Sequence, residues 1–336
     1  MKTVNREPMI KFQKGNDAMN DLAVPQVEVA KRDLCGPMIP VITNLQSDLS
    51  IDHAAIRDNV QTDRDRGIVA GHGVFLAGGA GGDFPMLTVD ERKAVAQTIV
   101  QAADGRTPVL IGAQDTNPDV CIDLARWAEE IGAYGIQLSP TYYYASSPED
   151  CWRLFEAVHD ATEHLSIMIY NTHWEGYDLS ISEIERLAEL PRCVSLKWSS
   201  PSTAAYLRVL HKFSDRFSIV DNQGLPVMNH LLGGTGYITH LATLWPEHDL
   251  EVWSLLQATD YAAAQTKLAA VNWPWQDFRE KMWGRTAAES PVVKAGLELL
   301  GRPGGPCRGP TRELTAEERD ELRQLLLSIG VPGIVA

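Results

Sequence analysis

Short apolar segments alternate with amphipathic segments along most of the chain from Pro37 onward. Eight of the apolar segments have strand length and little polar interruption, which is typical of parallel strands that are buried on both faces. The segments between them, such as TVDERKAVAQTIVQAA, carry apolar residues at three- and four-residue spacing and therefore predict helices. The eight predicted strands are PMIPVIT, GVFLAGG, PVLIGA, YGIQLSP, SIMIYN, CVSLKW, FSIVDN and GYITHLA.

Several of the predicted helices begin at a residue that can cap a helix. Thr88, Asn117 and Ser180 each precede acidic residues in the first turn, where negative charge interacts favourably with the helix dipole. Strand and helix thus alternate eight times. This order predicts an α/β fold, a (β/α)8 TIM barrel, whose strands are covered by helices outside and by packed side chains inside. An open, doubly wound sheet is the structural alternative.

The pattern divides the chain into three regions. Residues 1–33 are polar and lack sustained periodicity, so we expect an N-terminal arm that becomes ordered only against another subunit. Residues 34–258 form the predicted barrel. Residues 259–336 contain only helical patterns, among them SPVVKAGLELLG and TAEERDELRQLLLSIG, and predict a C-terminal helical extension.

Composition narrows the functional classes. Of the 336 residues 44% are apolar and 22% are charged, which is typical of a globular protein. The net charge of -14 argues against binding to nucleic acid or to anionic lipid. The five cysteines show no CxxC spacing, which argues against a disulfide framework and a zinc site and favours a reducing cytoplasm. We also expect no membrane span, because no apolar run approaches ~20 residues, and no signal peptide.

Candidate chemistry lies at the C-terminal ends of the predicted strands, where barrels of this kind place their active sites. Lys197 ends CVSLK, and burial there lowers the pKa of its amine and makes a neutral nucleophile available. Tyr170 ends the preceding strand, so its phenol lies beside that amine and can move protons. The alternatives are a lysine whose amine extends into solvent and a core tyrosine with a satisfied hydroxyl.

Two further features accompany this pair. The loop AGGAGGDF, with Gly79, Ala80, Gly81 and Gly82, offers successive backbone N–H groups for the carboxylate of a 2-oxo acid. It lacks the residues of a nucleotide-binding loop. His240 follows the last strand and is a second acid–base or specificity candidate, the alternative being a buried, hydrogen-bonded histidine. No histidine pair has metal-ligand spacing, so we predict no metal.

The order of a glycine-rich loop, a tyrosine pair, a Tyr-Asn strand end and a lysine strand end resembles the dihydrodipicolinate synthase / N-acetylneuraminate lyase family. The resemblance extends from about residue 36 through the C-terminal helices. It implies a class I aldolase mechanism without a cofactor, in which Lys197 forms the imine and Tyr170 moves the proton. It also implies that Tyr143 reaches across a subunit interface, that Ile238 flanks the imine, and that the protein is a homotetramer, a dimer of dimers.

The chain departs from this family at two places. Ala80 and Gly81 replace two hydroxyl residues that hold the substrate carboxylate and help to relay protons. The residues after Tyr170-Asn171, which include Trp174, stand where the synthases have an arginine, so we do not expect dihydrodipicolinate synthesis. Trp174 is a candidate to stack on an aromatic or apolar aldehyde, unless it serves only packing.

Sequence motifs leave the branch open. The loop GGAGGDFPMLT and the C-terminal tail look closer to 5-dehydro-4-deoxyglucarate dehydratases, whereas GPCR also occurs in hydratase-aldolases that release aromatic aldehydes. We therefore predict a lyase that condenses a small 2-oxo acid, such as pyruvate, with an aldehyde, or that releases the two by aldol cleavage. A dehydratase of a deoxy-oxo sugar acid and a catalytically silent binding barrel are the alternatives.

Overall fold

The chain folds into a closed barrel of eight parallel strands that pair in chain order, with β1 against β8. The computed structural model describes residues 26–144 and 146–334. All eight predicted strands are present, which confirms the TIM barrel and excludes the open sheet. The strands are β1 Gly36–Pro40, β2 Val74–Ala77, β3 Val109–Gly112, β4 Gly135–Leu138, β5 Ser166–Tyr170, β6 Cys193–Trp198, β7 Ser218–Asp221 and β8 Gly236–Ile238.

Helices follow the strands, and three of them begin directly after the capping residues named in the sequence analysis. Thr88 and Ser180 each form a reciprocal capping box with a glutamate three residues later, and Asn117 accepts a hydrogen bond from the amide of Asp119. The helices are α1 Gln26–Asp33, α2 His53–Asp65, α3 Val89–Ala103, α4 Pro118–Glu130, α5 Pro148–Asp160, α6 Ile181–Leu187, α7 Thr203–Phe213, α8 Pro226–Leu231, α9 Pro246–Gln257, α10 Tyr261–Thr286, α11 Ser290–Leu299 and α12 Ala316–Ser328.

The strands pack between two apolar layers, one inside the barrel and one between the strands and the helices. The barrel interior is filled by a cluster that includes Met38, Leu110 and Met168, and a larger cluster lies between the strands and the surrounding helices. Trp198 is 1% exposed and belongs to the outer cluster. Because side chains alternate along a strand, its neighbour Lys197 faces the interior.

The last part of the predicted arm is a helix of the barrel itself. Residues 26–33 form α1, which packs on β6 and β7 and closes the N-terminal end of the barrel. Ala30 and Leu34 are fully buried there, and Ser218 donates a hydrogen bond to the carbonyl of Leu34. The expectation that residues up to 33 order only against another subunit is therefore wrong for 26–33, because apolar side chains in a short polar helix were enough to seal the barrel. Residues 1–25 of the arm lie outside the described residues.

The C-terminal extension packs beside the ends of β1 and β8. Its helices α10 to α12 bury side chains such as Trp275 and Leu322 against Ile42 and Leu244 of the barrel. A short turn over residues 258–260 separates α9 from α10, and Asp260 caps the second helix by accepting from the amide of Ala263. Over residues 26–334, Ala145 aside, none of the helices has the length and apolar character to cross a bilayer.

Candidate active site

Lys197 and Tyr170 lie side by side at the C-terminal ends of β6 and β5, where they are register partners. The Lys197 Nζ lies 4.1 Å from the centroid of the Tyr170 ring. Lys197 is 5% exposed, so its amine does not extend into solvent. Burial lowers the pKa of this amine to about 8, although Glu289 and Glu175 act in the opposite direction. Roughly one-tenth of such an amine is neutral at pH 7 and available as a nucleophile.

The Tyr170 phenol remains protonated and can donate. Burial is the largest cause that raises its pKa, and Glu289 and Glu175 raise it further. A side-chain hydrogen bond with Asn222, which follows β7, acts in the opposite direction. A phenol held this way keeps its proton at neutral pH and gives it only to a strong base, such as a departing hydroxide, which suits a group that protonates a leaving hydroxyl.

The glycine loop is fixed against the end of β1 and against the C-terminal extension. Residues 80–82 form a 3-10 turn, and the Thr43 hydroxyl donates to the carbonyl of Gly82 at 2.7 Å. A Cβ at Gly82 would lie 2.8 Å from the carbonyl oxygen of Val41, so this position requires glycine. Asp83 ends the turn in a left-handed conformation and pairs with the buried Lys294 of α11 at 3.3 Å. The loop is therefore a rigid wall of the site.

His240 occupies the space beside Gly81 that a side chain would otherwise take. A Cβ at Gly81 would lie 2.8 Å from the His240 Nε2 and 3.0 Å from the Cβ of Pro40. The imidazole is 6% exposed, and its Nε2 lies 2.8 Å from the Glu289 Oε2. His240 is thus both buried and hydrogen-bonded, as the structural alternative expected, and it also lies next to the glycine loop.

Two charged groups at this site come from the C-terminal extension and were missed by the sequence reasoning. Glu289 directly precedes α11, and its Oε1 lies 3.5 Å from the guanidinium of Arg279 on α10. Burial would raise the pKa of the Glu289 carboxyl, but His240, Arg279 and Lys197 together lower it to about 2. In the sequence, Glu289 is only a single acidic residue in front of the Ser-Pro start of a predicted helix, and this pattern does not distinguish a site residue from an ordinary helix cap.

The turn that follows β5 lies beside Tyr170. Trp174 is 52% exposed and meets the Tyr170 ring edge-on, with 6.0 Å between the ring centroids. Glu175 is exposed beside it; desolvation by its neighbours raises the pKa of its carboxyl, while the Lys197 charge lowers it. This turn therefore brings an indole against the Tyr170 ring and a carboxylate within electrostatic range of the amine.

Of the two other predicted residues, Ile238 is at the strand ends of the barrel and Tyr143 is on its exposed surface. Ile238 ends β8 and packs against the interior cluster of the barrel, at the level where the strands end. Tyr143 is 84% exposed on the loop after β4, with φ of 81°, and its ring contacts Tyr144. It is not part of the buried site of its own chain.

The site brings together a partly neutral buried amine, a protonated phenol and an ionised carboxylate. Such a set can form a carbon–nitrogen bond to a carbonyl carbon and move the protons that this step requires. The model of the dihydrodipicolinate synthetase family matches residues 33–329. The chain belongs to the dihydrodipicolinate synthetase family. The resemblance inferred from the motifs is thereby confirmed.

Relatives in this family carry two kinds of name. A 4-hydroxy-tetrahydrodipicolinate synthase of Halalkalibacterium halodurans is 33% identical over 273 residues, covering 78% of this chain and 86% of the relative. A probable 5-dehydro-4-deoxyglucarate dehydratase of Methylobacterium radiotolerans is 32% identical over 292 residues, covering 85% and 92%. A probable dehydratase of the same kind from Saccharopolyspora erythraea is 28% identical and covers 92% of this chain and 98% of the relative.

Solved structures of the dihydrodipicolinate synthetase family share the fold. A putative dihydrodipicolinate synthetase from Pseudomonas aeruginosa superimposes with a TM-score of 0.81 at 21% identity and covers 88% of this chain and 99% of its own. The E. coli K12 prophage protein YagE, solved in complex with pyruvate, gives a TM-score of 0.79 at 25% identity over 88% and 99%. Family members and the dehydratase relatives are lyases or hydro-lyases, so this chain is an enzyme of these classes.

Proposed function

We propose that the enzyme is a Schiff-base lyase in which Lys197 forms an imine with pyruvate or a longer 2-oxo acid and joins it to, or cleaves it from, an aldehyde. The observation that carries the proposal is the buried Nζ of Lys197, 4.1 Å from the Tyr170 ring centroid, with a pKa of about 8. The lysine itself provides the electron sink, so the reaction requires no metal and no organic cofactor.

The chemistry begins when the neutral amine of Lys197 attacks the ketone carbon. The hydroxyl of the resulting carbinolamine takes a proton from the Tyr170 phenol and leaves as water, giving a protonated imine. The Tyr170 phenolate left by this step takes a proton from the adjacent carbon, which forms an enamine, and the phenol returns that proton to the aldehyde oxygen as the enamine adds to the aldehyde carbon. Water then hydrolyses the imine and returns the amine. Cleavage follows the same steps in reverse.

The remaining predicted residues have roles in binding. The amides of Gly82 and Asp83 are used within the turn, so we assign the substrate carboxylate to the amides of Ala80 and Gly81. Gly79 and Gly82 hold the loop, Ile238 flanks the imine, and Trp174 stacks on the aldehyde half.

Assembly and location are also part of the proposal. Exposed Tyr143 completes a neighbouring site in a cytoplasmic homotetramer, a dimer of dimers, as the resemblance implies. The strained backbone of this tyrosine supports the assignment, since such strain concentrates at functional positions.

A dehydratase is the second candidate. The same imine would expel the hydroxyl of a deoxy-oxo sugar acid as water instead of breaking a carbon–carbon bond. Two relatives named as probable 5-dehydro-4-deoxyglucarate dehydratases, which this chain covers for 92% and 98% of their length, support it. Release of free pyruvate from a substrate panel indicates the aldolase, whereas turnover of 5-dehydro-4-deoxyglucarate without pyruvate indicates the dehydratase.

The imine is tested by trapping. The protein is incubated with pyruvate and sodium borohydride, and the modified peptide is identified by mass spectrometry. We expect the reduced adduct on Lys197 and its loss in Lys197→Met, with Lys267→Met as the control, because Lys267 on α10 pairs with Glu251 on α9 and contacts none of the residues assigned to the site. A wild-type protein without any label, which is the result expected of a catalytically silent binding barrel, would overturn the proposal. Label on a lysine other than Lys197 would also overturn it.

A further inference from the structure

The GPCR motif, residues 305–308, lies in the connector between α11 and α12 and contacts the loop between β2 and α3 that carries the glycines. Its Arg308 donates to the carbonyl of Met86, near the end of this loop, at 2.9 Å. The two terminal nitrogens of the guanidinium each lie 2.9 Å from one carboxylate oxygen of Glu91, in the first turn of α3. One side chain therefore ties the end of the glycine loop to the helix that follows it.

The same guanidinium also reaches the loop between β1 and α2. It donates to the carbonyl of Leu49 at 2.6 Å. Arginine presents its N–H donors in a rigid planar fork, so one side chain can hold a carboxylate and two carbonyls in fixed relative positions. The side chains of Arg308 and Glu91 are 22% and 28% exposed, which shields the pair from most of the solvent. Arg308 thus joins three segments that are distant in the sequence.

Lys294 gives the glycine loop a second attachment to the same motif. Its Nζ lies 3.3 Å from the Oδ2 of Asp83, the residue that ends the 3-10 turn, and donates to the carbonyl of Pro306 at 2.9 Å. The ammonium therefore links the turn to the residue two positions before Arg308. The loop is attached to the GPCR motif at Asp83 and again at Met86, on the C-terminal side of its glycines.

The connector is itself fixed to the barrel and can therefore serve as a support. The buried side chain of Asn44, which follows β1, donates to the carbonyls of Pro303 at 2.8 Å and Gly304 at 2.9 Å. A Cβ at Gly305 would lie 2.6 Å from the carbonyl oxygen of Leu45, so the chain can pass this close to the barrel only with glycine at that position. The first residue of the motif thus fixes the place from which Arg308 reaches the loop.

The glycine loop needs such supports because of its composition. Three of the four residues from 79 to 82 are glycine, and glycine has the widest range of backbone conformations. Two hydrogen bonds, from the amides of Gly82 and Asp83, close the 3-10 turn, and short 3-10 turns have poor hydrogen-bond geometry. The conformation of residues 79–82 therefore depends on how their flanks are held.

We propose that Arg308 is a positioning residue for the carboxylate of the 2-oxo acid, because it holds the glycine loop in the conformation that offers the amides of Ala80 and Gly81 to this carboxylate. The effect on the carboxylate rests on the proposed function; the holding of the loop does not. Arg308 acts through Met86 and Glu91 and has no contact with Lys197 or Tyr170 among its hydrogen bonds.

Hydrogen exchange of the backbone amides tests the holding of the loop without a substrate. Exchange in the peptide that covers residues 79–87 is measured by mass spectrometry in the wild type and in Arg308→Met. We expect exchange about tenfold faster in the variant, because charge-assisted hydrogen bonds to the flank of the loop are lost. Arg312→Met is the matched control: Arg312 also binds a carboxylate with two nitrogens, that of Glu318 at 2.7 and 3.0 Å, and should leave this peptide unchanged.

The dependence of imine trapping on pyruvate concentration tests the effect on the carboxylate. The initial rate of adduct formation on Lys197 is measured with sodium cyanoborohydride over a range of pyruvate concentrations. For Arg308→Met we expect a half-saturating concentration about tenfold higher and a maximal rate within about twofold of the wild type. A residue that only supports the fold would lower the maximal rate, through the unfolded fraction, and leave the half-saturating concentration unchanged.

A conservative variant keeps the comparison possible if Arg308→Met does not fold, which thermal unfolding shows. Arg308→Lys retains the charge beside Glu91, but an ammonium cannot also span the carbonyls of Met86 and Leu49. We expect changes of the same kind in both measurements, about threefold instead of tenfold.

Equal exchange in the wild type and the Arg308 variants, or the same acceleration in Arg312→Met, overturns the holding role. Faster exchange with an unchanged half-saturating pyruvate concentration overturns the link to the carboxylate. Failure of the wild type to form any adduct with pyruvate overturns the proposed function alone, because the exchange experiment still decides whether Arg308 holds the glycine loop.

Discussion

Replacing Lys197 by methionine should stabilise the protein while abolishing the reaction. The amine is 5% exposed, and its pKa falls from 10.5 to about 8 on folding. Each pKa unit corresponds to about 1.4 kcal/mol, so the charged lysine costs about 3 kcal/mol at pH 7. Its contact with the Tyr170 ring returns about 1 kcal/mol, which leaves a net gain of about 2 kcal/mol for Lys197→Met.

The gain should depend on pH in a defined direction. The unfolded chain binds more protons than the folded protein between pH 8 and 10.5, so the wild type recovers stability as the pH rises through this window. Below pH 8 the destabilisation is complete. At pH 10 we expect the pKa-linked cost to have fallen below about 1 kcal/mol, and the advantage of methionine to have largely disappeared.

Urea unfolding of the wild type and Lys197→Met at pH 7 and pH 10 measures this difference. Lys294→Met is the matched control: its amine is also buried but pairs with Asp83 at 3.3 Å and donates to the carbonyl of Pro306. Its loss should destabilise by about 3 kcal/mol, since it leaves Asp83 unpaired. A destabilised Lys197→Met, or a gain that does not change with pH, would refute the reasoning.

Three further substitutions test other parts of the site. Tyr170→Phe should lose most turnover but retain some trapping with borohydride, and unchanged turnover would remove the phenol from the mechanism. Gly81→Ala should destabilise the protein by about 1–3 kcal/mol and lower turnover, because the new methyl group displaces His240. The control is Gly284→Ala, which has open space around its Cβ and should have neither effect. Urea unfolding and steady-state rates measure both variants. Tyr143→Gly should relieve the left-handed backbone and stabilise by about 1 kcal/mol while reducing turnover; retained turnover would contradict a role at a neighbouring site.

The barrel was predictable because its pattern is local. Segments such as SIMIY and CVSLK are apolar on both faces, and side-chain capping at Thr88 or Ser180 depends on residues three positions apart. The same reasoning placed Tyr170 beside Lys197, since consecutive parallel strands end at one edge. The helical character of residues 26–33 was not recognised, because only Ala30 and its near neighbours are apolar in that short segment.

The charged half of the site was not predictable from local pattern. Glu289 lies 92 positions after Lys197, and its approach depends on how the extension packs against β8. His240 was recognised as a polar strand end, but its bond to Glu289 and the missing side chain at Gly81 form one arrangement only in three dimensions. Long-range packing of this kind leaves no periodic signal in the chain.

The closure of the barrel by α1 constrains the order of events at the site. With Ala30 and Leu34 sealing the N-terminal end and apolar side chains filling the interior, Lys197 is approached from the C-terminal ends of the strands, on the side where Trp174 meets the Tyr170 ring. Whatever bonds to the amine must enter before the molecule that lies above it. For the proposed reaction the 2-oxo acid therefore binds first in condensation and leaves last in cleavage. The aldehyde binds or leaves while the 2-oxo acid is still bonded to the amine.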